Sequence, residues 1–132
     1  MFIRFVAPRA LRSARADSGI FGPAYAFRDS RATPDYLRNE IAQEITWFCD
    51  CLPVPKRFGV VTRKSRRPYA GICWFRDDAR SAIAHANTLA TLLGECDVSI
   101  TRVITDAPGD IVYRDDMQVV AMPRPETPVR WH

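Results

Sequence analysis

Residues 67–123 read RPYAGICWFRDDARSAIAHANTLATLLGECDVSITRVITDAPGDIVYRDDMQVVAMP, and their patterning sets the architecture. Tyr69 to Phe75 is a dense apolar run of strand length, of the kind buried on both faces. Asp77 or Asp78 follows in N-cap position. Next comes a helical stripe of Ala79, Ala82 or Ile83, Ala86, Leu89 or Ala90, and Leu93, spaced three to four residues apart. Gly94 sits where a C′ glycine stops a helix. Val98 to Thr105 is rich in β-branched residues and reads as a strand. Ala107-Pro108-Gly109-Asp110 has the proline and glycine placement of a type II turn. Ile111 to Arg114 and Met117 to Met122 then form a hairpin around Asp115-Asp116.

Upstream, residues 2–7 (FIRFVA) read as a short strand. Residues 8–18 are a polar, basic loop. Residues 20–28 lean to a short helix with Pro23 in its first turn. Thr33 is the expected N-cap and Pro34 the first residue of a longer helix, whose stripe is Leu37, Ile41, Ile45 and Phe48. The run Leu52-Pro53-Val54-Pro55 ends it, because proline cannot continue a helix. The expected fold is α+β, in the order β-α-α-β-α-β-β-β. It is a single-layer mixed sheet of 4–5 strands with two main helices packed on one face. The strand–helix–strand unit around residues 70–105 reads as a right-handed parallel crossover. Residues 1–122 form one domain, and residues 123–132, with three prolines, form a flexible tail.

The chain has 132 residues, enough to bury a core without staples. No apolar run approaches membrane-helix length, so no membrane partner is expected. The first sixteen residues contain Arg4, Arg9, Arg12 and Arg15 and no acid, which superficially resembles an organelle presequence. Without an amphipathic helical pattern they read instead as a strand followed by a basic loop. The net charge of +4 is uneven. Residues 1–66 hold twelve Lys/Arg and six Asp/Glu, whereas residues 67–132 hold seven and nine. A lopsided balance of this kind steers anionic partners.

At Trp74-Phe75-Arg76-Asp77 and again at Pro108-Gly109, Ile111-Val112-Tyr113, Asp115 and Gln118-Val119-Val120-Ala121, the chain resembles a family of small bacterial proteins. The resemblance implies a bacterial, cytoplasmic protein. It implies no activity and carries over no functional residue.

The basic segment is the main candidate for function. Between Cys51 and Arg76 there is no acid, and Lys56, Arg57, Arg63, Lys64, Arg66 and Arg67 lie within twelve residues, near Phe58, Tyr69 and Trp74. Cations neutralise phosphates or acidic side chains, and flat rings stack on bases. A solvated loop balanced by Glu40, Glu44 and Asp50 is the competing reading. No RNP-type, GxxG or zinc-finger pattern accompanies the cations.

Cys49, Cys51, Cys73 and Cys96 lack metal-ligand spacing and read as packed thiols. His85 flanks the second helix's stripe; a Cys73–His85 or Cys96–His85 couple would be needed for thiol catalysis. Neither the carboxylate pairs nor Gly19 and Gly22 form a catalytic or phosphate-binding motif.

The expected function is therefore that of a non-enzymatic cytoplasmic binding or adaptor protein. It would contact a protein or nucleic acid through Lys56, Arg57, Arg63, Lys64, Arg66, Arg67, Tyr69 and Trp74. A nucleic-acid binder and a small cysteine enzyme are the alternatives. No catalytic residue, metal or cofactor is assigned, and a homodimer through the 111–122 hairpin is open to the chain.

Overall fold

Three helices lie on one side of an antiparallel sheet, as the apolar stripes require. The computed structural model describes residues 1–8, 18–52 and 71–127. Within them run β1 (Phe2–Ala7), β2 (Ser18–Gly19), α1 (Phe21–Asp29), α2 (Asp35–Cys51), β3 (Ile72–Arg76), α3 (Arg80–Glu95), β4 (Thr101–Thr105), β5 (Asp110–Arg114) and β6 (Gln118–Met122). Apart from the two-residue β2, this is the order expected, and the fold is α+β.

The strand pairing corrects the mixed sheet. β1 pairs antiparallel with β4 along Phe2–Val6, and with β3 at Phe2 and Ile3. β3 pairs antiparallel with β6, and β6 with β5. Val6 pairs with both Thr101 and Gly19, so β2 and β4 lie on opposite edges of β1. The main order is β4-β1-β3-β6-β5. Strands β3 and β4 do run parallel to each other, but β1 is inserted between them, so the crossover through α3 steps over a strand.

The sheet is strongly coiled. Thr105 lies at one end of the first strand in this order, and Asp110 at the opposite end of the last. In a flat sheet they would be roughly 25 Å apart. Five residues of chain span at most about 18 Å. The link between them contains Gly109, whose φ of 111° is open to glycine. A Cβ there would sit 2.0 Å from the Met122 carbonyl oxygen.

Period-two alternation divides the strands between two clusters. Ile3, Phe5 and Phe75 point to the helices, where Leu37, Ile41, Ile45 and Phe48 of α2 and Ala82, Ala86, Leu89 and Leu93 of α3 meet them. Each fully buried large side chain contributes about 1.5–3 kcal/mol. Val6, Ile72, Trp74, Val103 and Val119 gather on the other face. Strand β3 thus buries side chains on both faces, as its composition implied, although Cys73 within it is exposed.

Three helix boundaries differ from expectation. α2 starts at Asp35 after Pro34, and Thr33 makes no side-chain cap. Neither Asp77 nor Asp78 caps α3. It follows Ala79 with no side-chain cap, and the Asp78 carboxylate accepts from Arg76 at 3.0 Å. Gly94 does not stop α3 but lies inside it. The stop is Asp97 at φ 63°, with Val98 N–H donating to the Leu93 carbonyl at 3.0 Å and Asp97 N–H to the Gly94 carbonyl at 3.1 Å. That is the paired bonding of a Schellman motif.

Residues 123–127 of the expected loose tail are held down. Arg124 and Thr127 exchange hydrogen bonds, Arg124 pairs with Asp110, and Thr127 is buried.

Candidate functional site

Strand register brings several chain ends together at one end of the sheet. Ala7 pairs with Ser18, Ile72 with Ala121, and Asp110 with Met122, so these residues share an end. Arg124, paired with Asp110, brings Thr127 to the same end. Segments 9–17 and 128–132 therefore attach there, as does the β3 side of segment 53–70. Lys56, Arg57, Arg63, Lys64, Arg66, Arg67 and Tyr69 all fall within 53–70 and lie outside the described residues.

The charge divides along the same line. The described residues contain nine of the nineteen Lys/Arg and fourteen of the fifteen Asp/Glu, a formal charge of −5. The three remaining segments carry the balance, +9 in sequence. Local sequence singles out the cations of 56–67 as the candidate for function and presents 8–18 only as a polar, basic loop. Only the strand register shows that both are rooted at one end.

The expectation for Trp74 is overturned. It is 1% exposed, on the face of β3 turned away from α1, α2 and α3, so its ring is core and not a contact surface. Alternation required Trp74 and Phe75 to point opposite ways, but a strand with one wet face would have left one of them outside.

His85 lies between α2 and α3. Its Nδ1 is 2.6 Å from Glu44 Oε2, and its ring stacks on Trp47 at 3.9 Å with 17° between planes. The thiols weighed as nucleophiles are poorly disposed to ionise. Burial pushes Cys73 and Cys96 up from the usual thiol range. The packed-thiol expectation fails for Cys49, Cys51 and Cys73, which are exposed, while Cys96 is half-buried; the atoms around Cys73 still make desolvation the main influence on its thiol. Cys49 Sγ lies 3.6 Å from Tyr25 OH, a contact that, with burial, raises the tyrosine. Among the described residues no group of three or more His, Cys, Asp or Glu is placed to hold a metal ion.

The β5–β6 hairpin is organised by one carboxylate. Asp115 Oδ1 accepts from the Met117 and Gln118 N–H groups at 2.8 and 2.9 Å. Its Oδ2 accepts from Tyr113 OH at 2.8 Å and Gln118 Nε2 at 3.1 Å. Burial acts to raise this acid, but the four donors outweigh it and hold Asp115 below the usual carboxylate range. Arg76 donates to the Asp115 carbonyl at 3.2 Å, tying β3 to the turn. These groups satisfy one another and read as structural.

No family model, curated protein or solved structure matches the chain. The likeness at Trp74–Asp77 and Pro108–Ala121 therefore stays a resemblance. Those residues have structural places: Gly109 in the link, Asp115 at the turn, Val119 to Ala121 in the buried strand.

Proposed function

We propose that this chain is a non-enzymatic binding domain that docks an anionic macromolecular surface, first of all an acidic protein face. The observation that supports the reading is the partition of charge. The described residues have a formal charge of −5, and the remaining segments, totalling +9 in sequence, each join them on at least one side at one end of the sheet. Cation-rich segments joined to an acidic body orient and accelerate encounters with a negative partner.

A second reading, nucleic-acid binding, is favoured by Phe58 and Tyr69 standing among the cations in sequence, since aromatic rings stack on unpaired bases. A bacterial, cytoplasmic setting belongs to the same proposal; four free cysteines fit a reducing compartment. Among the described residues no helix is long and apolar enough to cross a membrane. Self-association at β5, whose exposed Ile111 lies on the last strand of the sheet, is also part of it.

Fluorescence anisotropy with labelled polyglutamate and a labelled single-stranded oligonucleotide tests the two readings. Acidic-protein docking predicts binding to both, weakened alike when Lys56, Arg57, Arg63, Lys64, Arg66 and Arg67 are changed to Gln. Nucleic-acid recognition predicts preference for the oligonucleotide and a further loss on Phe58→Ala and Tyr69→Ala. Binding to neither at low salt would remove both.

A further inference from the structure

No further inference is drawn: the strongest candidate, the face of the sheet turned away from α1, α2 and α3, where the buried Trp74 indole N–H has no hydrogen-bond partner among the described residues, carries nothing because nothing in the structure shows what covers it.

Discussion

Glu44 of α2 and His85 of α3 meet through a 2.6 Å contact between Oε2 and Nδ1, over the ring of Trp47. Both side chains are partly withdrawn from water, with Glu44 16% and His85 33% exposed. A hydrogen bond of this kind contributes about 1 kcal/mol net, and ring packing adds a similar amount. His85→Ala should therefore destabilise by about 1–2 kcal/mol. A double-mutant cycle with Glu44→Gln, read by urea unfolding, should return a coupling of about 1 kcal/mol. Strict additivity would show that the two residues do not support each other.

The end of α3 gives predictions of opposite sign to a glycine-stop reading. Gly94 is helical, and a Cβ added to it would meet nothing within 4 Å, so Gly94→Ala should stabilise by about 0.5–1 kcal/mol. Asp97 takes the left-handed conformation, so Asp97→Gly should also stabilise, by up to about 1 kcal/mol. Thermal unfolding of the two variants checks this. Loss of stability in Gly94→Ala would place the left-handed residue at 94 after all.

Gly109 answers differently. An added Cβ meets backbone at 2.0 Å in a conformation that side chains avoid. Gly109→Ala should cost at least about 3 kcal/mol, within the range reserved for backbone strain and overpacking. Chemical denaturation should show a large drop in midpoint, whereas the control Gly22→Ala, which meets nothing within 4 Å, should not lose stability. An unchanged midpoint in Gly109→Ala would contradict the tight link between β4 and β5.

Asp115 predicts a pH dependence. Its folded carboxyl is held low, so the folded state binds its proton less readily than the unfolded chain. The stabilisation is present above the unfolded value, about 3.9, and is lost as pH falls through the lower folded value. Unfolding free energy, measured from about pH 5 down to about pH 2, should fall less steeply in Asp115→Asn than in the wild type. Parallel curves would show that the four hydrogen bonds do not favour the charged form.

What was legible in the sequence was local. Leu37, Ile41, Ile45 and Phe48 are all buried, because a three-to-four spacing puts them on one helix face. β1 spans Phe2–Ala7 as its β-favouring composition indicated. What was not legible depends on distant pairing. Nothing between residues 70 and 105 reveals that β1 is inserted between β3 and β4. Nor does local sequence show that Trp74 faces a second buried cluster. Asp97, and not Gly94, stops the helix because aspartate tolerates the left-handed region, and a glycine one turn earlier is the stronger local signal. Glu44 and His85 are 41 positions apart. Their only signal was that each flanks an apolar stripe on helices that had to pack together.

Docking of negative partners against the cationic segments is the central claim. The most direct measurement is the affinity of the wild-type chain and the six-residue Gln variant for labelled polyglutamate, followed as salt is raised from about 20 mM to about 200 mM. Docking predicts binding at low salt that weakens steeply with added salt, and a loss of at least about tenfold in the variant, or 1.4 kcal/mol, with the melting temperature unchanged. Equal affinity of the two proteins, or salt-independent binding, would contradict it.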